Sequence, residues 1–176
     1  YPDAVTGSLD ALAGSPTRDA AAWDDRVDPV QWASDDSFPE THALVVLAGS
    51  EVRLDTHILV WLYADPQRDW PPTVRHLLET APLRYFPAVR LQLQYLFESG
   101  RIKVTPEDLL AEIGSLLGLS KCRQPFAAVV EYATNLDLDR DVFDRLIVGQ
   151  TLAAGARLIS RDPLIRDHSA DALRAE

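Results

Sequence analysis

The stretch "RLDTHILVWLYAD", residues 53–65, joins a short apolar segment to a longer one with an aspartate at the junction. "VRLD", residues 52–55, predicts a short buried strand, and "HILVWLYAD", residues 57–65, predicts a helix. An aspartate drawn towards a core costs free energy unless something compensates its charge. The position of Asp55 therefore indicates that it either caps the helix or belongs to a site that uses its carboxylate.

The same alternation of short strands and helices continues along the chain. Further strands are predicted at "LRYF", residues 83–86, and "ARLIS", residues 156–160. Helices are predicted in the segments 71–81, 88–100, 105–119, 126–136 and 143–155, with a final short one in 161–168. Short apolar strands that alternate with helices predict an α/β fold of three layers, with a short central parallel sheet.

Composition narrows the class of protein. The chain has 176 residues, of which 47% are apolar and 25% charged, an ordinary globular balance. It contains neither an apolar run long enough for a membrane span nor a signal-peptide pattern. Cys122 is the only cysteine, so an internal disulfide is impossible, and no Cys or His stands near it at metal-ligand spacing. A reducing cytoplasm fits this usage.

The negative charge is concentrated at the start of the chain. The net charge is −10, and residues 1–50 hold nine acids and two bases. This shift in composition predicts a boundary near residue 50, with an extended or disordered acidic leader before it and a short helix in residues 17–27. The negative net charge argues against a broad basic surface that binds nucleic acid. It allows a nucleic-acid enzyme whose acidic centre binds metal.

Three aspartates are expected at one rim of the sheet. Asp55 follows the first strand, Asp162 follows "ARLIS", and Asp144 begins the helix that leads into that strand. Ligands of open parallel sheets collect beyond the carboxyl ends of the strands. Clustered carboxylates repel one another unless a cation such as Mg²⁺ or Mn²⁺ binds them. The residues therefore indicate metal-assisted hydrolysis of a phosphodiester.

Each acid also has a plainer interpretation. Asp55 could cap the helix that follows it, and "DVFD" has the form of a capping box, with Asp141 as the N-cap and Asp144 three positions on. Asp162 precedes a proline, as turn residues often do. Ser160 and Thr56 could be ordinary hydroxyls. Only the combination favours a site.

The combination resembles a known family. "LDTHILVWL" and "DVFDRLIVGQTLAAGARLISRD" resemble the first and last motifs of PIN domains, and "FPAVRLQLQYLFESGRI" resembles their second helix. The likeness is strongest to VapC-type toxins of type II toxin–antitoxin systems. It predicts a PIN domain over residues 51–168 and a C-terminal tail over residues 169–176. The leader could then be an antitoxin-like extension.

The resemblance implies an Mg²⁺- or Mn²⁺-dependent endoribonuclease, in which a metal-activated water cleaves RNA to 5′-phosphate and 3′-hydroxyl ends. It also implies a cognate antitoxin and a homodimer in the cytoplasm. The metal-binding acids of the family match Asp55, Asp144 and Asp162. The residues that match secondary positions are Asp141, Ser160 and Thr56.

One position departs from the family pattern. The helical glutamate of the family falls on Gln92, which carries no charge and offers one carbonyl oxygen instead of two. Glu98 lies six residues on, off the same helix face, and is a poor substitute. The departure predicts weakened or lost activity. The alternative function is a catalytically impaired PIN-fold binding module that engages an antitoxin or RNA.

Overall fold

The computed structural model describes residues 7–15, 51–138, 141–162 and 165. Its sheet has four parallel strands in the order β3-β2-β1-β4. The strands are β1 (Val52–Leu54), β2 (Leu83–Tyr85), β3 (Ser120–Lys121) and β4 (Arg157–Ile159). Helices connect successive strands, so the predicted α/β class with a short parallel sheet is confirmed.

Seven helices lie within the described residues. They are α1 (Leu9–Ala13), α2 (Thr56–Ala64), α3 (Pro72–Thr80), α4 (Pro87–Glu98), α5 (Pro106–Leu117), α6 (Phe126–Thr134) and α7 (Val142–Ala154). Their ends follow local signals in the sequence. Thr105 caps α5 by accepting a hydrogen bond from the Asp108 N–H, and Gly118 ends the helix in a left-handed conformation.

The strand order defines where a ligand site is expected. The chain passes outward from β1 to β2 and β3, and then returns to the opposite side of β1 as β4. The order of strands along the sheet therefore reverses between β1 and β4, since the connection after β1 leads to β2, on the side of β1 away from β4. Ligands of parallel α/β sheets bind at this kind of switch point.

Helices α6 and α7 pack closely because a glycine lies between them. A Cβ atom added to Gly149 of α7 would lie 2.8 Å from the Val129 carbonyl oxygen and 2.9 Å from the Ala133 nitrogen. Only a residue without a side chain allows this separation of the two backbones. The pair holds α7, and with it Asp144, in a fixed position beside the sheet.

Part of the predicted leader is ordered against the domain. Residues 9–13 form α1, whose Leu9 and Leu12 are fully buried, and α1 packs against α5. Asp10 accepts a hydrogen bond from the Gln67 side chain at 2.8 Å. The predicted helix over residues 17–27 and the rest of the leader lie outside the described residues. The domain boundary at residue 50 stays a prediction.

Two further differences separate the sequence predictions from the structure. Strand β3 was missed because it consists of two exposed residues, Ser120 and Lys121, with no apolar pattern. The last predicted helix, in 161–168, lies mostly outside the described residues. In the described part of the chain, no helix combines the length and the apolar character needed to cross a membrane.

Candidate active site

Asp55 lies at the switch point and caps α2. Its Oδ1 atom accepts a hydrogen bond of 2.5 Å from the Thr56 backbone N–H, and the residue is 2% exposed. The capping interpretation of Asp55 is therefore correct, and it does not exclude a functional one, since the second oxygen points elsewhere. That oxygen, Oδ2, engages the end of the neighbouring strand.

Ser160 joins the two strand ends. Ile159 is the register partner of Leu54, so Asp55 and Ser160 follow paired residues. The Ser160 hydroxyl donates to Asp55 Oδ2 at 2.6 Å and accepts from the Asp162 backbone N–H at 3.1 Å. One hydroxyl thus fixes both an acid at the end of β1 and the turn that carries Asp162.

Asp55 remains ionised despite its burial. Burial raises its pKa, but His57, the Ser160 hydroxyl and the Thr56 N–H together outweigh that effect, so the pKa lies below the usual aspartate value. His57 Nδ1 lies 3.6 Å from Asp55 Oδ2, close enough to lower the pKa of the carboxyl. The switch point therefore holds a fixed negative charge.

Gln92 contacts the same region from α4. Its Oε1 atom accepts a hydrogen bond of 2.5 Å from the hydroxyl of Thr56, the residue next to Asp55. Thr56 itself is 1% exposed. A glutamate at position 92 could accept the same hydrogen bond and would add a negative charge. The structure thus brings Gln92 to the site, where its uncharged amide replaces the carboxylate that the family pattern predicts.

A cavity of about 290 Å³ opens beside these residues. Of the residues predicted from sequence, Thr56, Gln92 and Asp141 line it, whereas Asp55, Asp144, Ser160 and Asp162 do not. The other lining residues, which were not predicted as site residues, are His57, Tyr95, Leu96, Arg101 and Phe143.

Asp141 and Asp144 have the capping relation that the sequence suggested. Asp141 Oδ1 accepts from the backbone N–H groups of Phe143, at 2.8 Å, and Asp144, at 3.3 Å. Asp141 is exposed and Asp144 half-buried in the first turn of α7. Both residues lie at the N-terminal end of α7, where the helix dipole is positive.

The carboxylates of this site are the type of ligand that a hard divalent cation prefers, but too few of them lie close together. In the described residues, no three side chains of His, Cys, Asp or Glu lie close enough to hold a metal ion. Asp55, Asp144 and Asp162 are thus not grouped closely enough to hold a metal ion by themselves. Mg²⁺, however, commonly uses one or two carboxylates, waters and substrate phosphates. The assignment of the three acids as ligands stays a prediction.

Sequence reasoning missed two residues of this site that carry polar chemistry. His57 stands two residues after Asp55, in the first turn of α2. Arg101 follows Gly100, just after α4. A usable signal existed for His57, since residues at the start of a helix that follows a parallel strand face the strand end.

Comparisons with known proteins give a likeness to solved structures only. No family model matches the chain, and no curated protein matches it. The chain is similar to the crystal structure of VapBC2 from Rickettsia felis bound to a DNA fragment from their promoter. The match covers 64% of this chain and 87% of the chain in that structure. The identity is 19% and the TM-score 0.49, a likeness too weak to assign a function.

Proposed function

We propose that the chain is a PIN-domain protein of the VapC toxin type, an Mg²⁺- or Mn²⁺-dependent endoribonuclease whose activity is reduced by Gln92. The observation that carries this proposal is the buried, ionised Asp55, which Ser160 of the adjacent strand holds at the switch point of a parallel sheet. A protein that keeps a buried carboxylate charged at a ligand-binding crevice is equipped to bind a cation there.

In this proposal Asp55 would be the central metal ligand, and Asp144 and Asp162 would complete the set together with phosphate oxygens of the RNA. A bound cation would supply an activated water and neutralise the charge that develops on the phosphodiester. Ser160 keeps the Asp55 carboxylate oriented through its 2.6 Å hydrogen bond. Gln92 and Thr56 line the neighbouring cavity, where they can hold the attacking water or a phosphate oxygen by hydrogen bonds.

Arg101 gives the cavity a positive charge within an acidic protein. His57 also lines the cavity and lies close to the Asp55 carboxylate. A cation beside the scissile phosphate stabilises the transition state of phosphoryl transfer. We assign Arg101 as the residue that positions the RNA phosphate.

A second candidate is the impaired binding module. Two observations favour it: the described residues hold no three-ligand metal group, and the Gln92 amide oxygen is occupied by the Thr56 hydroxyl. In that case the protein binds RNA or an antitoxin without cleaving RNA.

The remaining partners of this proposal are a cognate antitoxin and a second copy of the chain, with the cytoplasm as the location. Exposed apolar side chains one helical turn apart support a protein partner. Leu91 and Tyr95 on α4 are 61% and 57% exposed, and Phe126 and Val130 on α6 are 61% and 39% exposed.

Cleavage of labelled RNA with Mg²⁺, Mn²⁺ or EDTA tests the proposal. We expect cleavage only with metal, and a rise of about 10- to 100-fold in Gln92→Glu, the range typical for restoring a partner of a metal site. Gln94→Glu, two residues along the same helix and outside the cavity, is the matched control and should not change the rate.

Asp55→Asn and Asp144→Asn test the residue assignment. Both should abolish cleavage, whereas Asp137→Asn, which removes an exposed acid elsewhere, should leave it unchanged. Absence of cleavage by both the unmodified chain and Gln92→Glu would reject the enzyme; RNA retention in a gel-shift assay would then support the binding module. Full activity of Asp144→Asn would show that the metal site lies elsewhere.

A further inference from the structure

A second cavity, of about 550 Å³, lies over strands β1, β2 and β3 and shares no lining residue with the first. Strand pairing places Arg53 of β1 beside Arg84 of β2, and Arg84 beside Ser120 of β3. The segment that follows β3, residues 121–124, completes the wall. We call this cavity the basic pocket; its lining residues are Glu51, Arg53, Arg84, Ser120, Lys121, Cys122, Arg123 and Gln124.

The charge of the basic pocket is opposite to that of the protein. Four cations, Arg53, Arg84, Lys121 and Arg123, line it with one acid, Glu51, while the whole chain carries −10. Such a concentration of like charge is unfavourable unless an anion binds there. The basic pocket is therefore a candidate anion site rather than part of an ordinary mixed surface.

Glu51 compensates only part of this charge. Its carboxylate lies 3.0 Å from Arg53 Nη1 and 3.4 Å from Arg84 Nε. Lys121 and Arg123 are exposed and form no ion pair or side-chain hydrogen bond with any other described residue. One carboxylate thus faces two guanidinium groups, and two further cations remain available to a ligand.

Arg53 has a buried donor that no described residue satisfies. The residue is 4% exposed, and its Nε atom has no hydrogen-bond partner among the described residues. A buried polar group without a partner costs about 1–3 kcal/mol. In a pocket lined with cations, an anionic oxygen is the partner that best offsets this cost, because guanidinium groups bind such oxygens in pairs.

We propose that the basic pocket binds a phosphate group through Arg53, Arg84, Lys121 and Arg123. A phosphate offers several acceptor oxygens and up to two negative charges, which suits the arginine forks and the two exposed cations. Ser120, whose hydroxyl accepts a hydrogen bond from Arg84, can turn that hydroxyl towards the ligand. The phosphate belongs either to a small phosphorylated molecule or to the backbone of a nucleic acid.

Titration of the full chain with inorganic phosphate, adenosine 5′-monophosphate and a short RNA tests this site by calorimetry and NMR. We expect binding in the millimolar range or tighter, with amide shifts confined to residues 51–53, 84 and 120–124. Adenosine, which lacks the phosphate, should not bind. Equal affinity for the monophosphate and the RNA indicates a small-molecule site, and much tighter RNA binding indicates a backbone site.

Two double variants keep the test independent of folding. Lys121→Gln/Arg123→Gln changes exposed residues only and should weaken phosphate binding about tenfold or more. Arg90→Gln/Lys103→Gln removes the same two charges at exposed positions outside the basic pocket, and it should have no effect on phosphate binding.

Glu51→Gln provides a gain of binding, which misfolding does not mimic. Removal of the competing carboxylate should tighten phosphate binding severalfold, because Arg53 and Arg84 then meet only the ligand. Absence of phosphate and monophosphate binding in both the unmodified chain and Glu51→Gln would overturn the proposal. Equal weakening in the two double variants would also overturn it, since the effect would then come from net charge alone.

Discussion

The buried charges of Asp55 and Arg53 differ in sign and in how completely they are compensated. Asp55, directly after β1, has hydrogen bonds to both oxygens, and it stays ionised. Arg53, two residues earlier and similarly buried, shares one carboxylate with Arg84, and its Nε has no hydrogen-bond partner among the described residues. Burial alone therefore does not show what each charge can still bind, because a carboxylate oxygen can take a further donor or a cation, whereas the guanidinium retains one unpaired donor.

The largest effect that tests this comparison is expected from Asp55→Ala. The change removes the cap of α2 and leaves the Ser160 hydroxyl and the Thr56 N–H without their acceptor, so we expect a loss of about 2–4 kcal/mol in the free energy of unfolding. Urea denaturation measures it. Asp141→Ala removes an exposed cap and should cost only about 1 kcal/mol. Equal losses of stability in the two variants would mean that the burial of Asp55 adds nothing to the stabilisation that its helix cap provides.

A smaller effect is expected in the basic pocket. Glu51→Gln leaves the buried Arg53 without its counter-charge and should lower the free energy of unfolding by about 1–3 kcal/mol. Arg53→Met removes the buried charge instead, and Glu51 keeps its ion pair with Arg84. This variant should change the free energy of unfolding by less than about 1 kcal/mol. Thermal denaturation in phosphate-free buffer compares the two. A larger loss in Arg53→Met would contradict an uncompensated charge at Arg53.

The pH dependence of stability isolates the charge of Asp55. Its pKa is lower in the folded than in the unfolded protein, so below the unfolded value of about 3.9 the unfolded state binds more protons, and stability falls as pH falls. Asp55→Asn lacks this titration. Its acid unfolding curve should therefore be shallower than that of the unmodified chain, by up to about 1.4 kcal/mol per pH unit.

If the acid unfolding curve of Asp55→Asn has the same slope as that of the unmodified chain, Asp55 does not hold a fixed charge in the folded protein.

The smallest effect on stability is expected from Gln92→Glu. A glutamate can accept the Thr56 hydrogen bond in the same place, and position 92 is only half-buried, so the free energy of unfolding should change by no more than about 0.5 kcal/mol. A rise in cleavage without a change in melting temperature would then separate function from stability. A large destabilisation would show that the site cannot accept a further negative charge.

Much of the fold could be predicted from local patterns. The three apolar strands and the helices that follow residue 52 were predicted with their ends within about two residues, because caps such as Thr105 and Gly118 act over short distances. Strand β3 could not be predicted, since two exposed residues become a strand only by pairing with β2. Helix α1 was missed for a similar reason, since its two leucines are buried by α5 rather than by local structure.

The candidate site was predictable in part. The sequence shows a carboxylate, Asp55, directly after one strand and a serine, Ser160, at the end of another. The hydrogen bond between them depends on the pairing of β1 with β4, which the sequence does not show. The same limit applies to Gln92, which reaches Thr56 from a helix 36 positions away. The basic pocket left no signal in sequence order, because its arginines come from different strands.

The sequence by itself determined the order of the elements, their ends and the chemical type of each side chain, because these depend on neighbours within a few residues. Only the tertiary structure decided which charges meet. Strand register placed Ser160 against Asp55 and Arg84 beside Arg53. The physical reason is that electrostatic and hydrogen-bond energies depend on separation in space, which chain order does not specify.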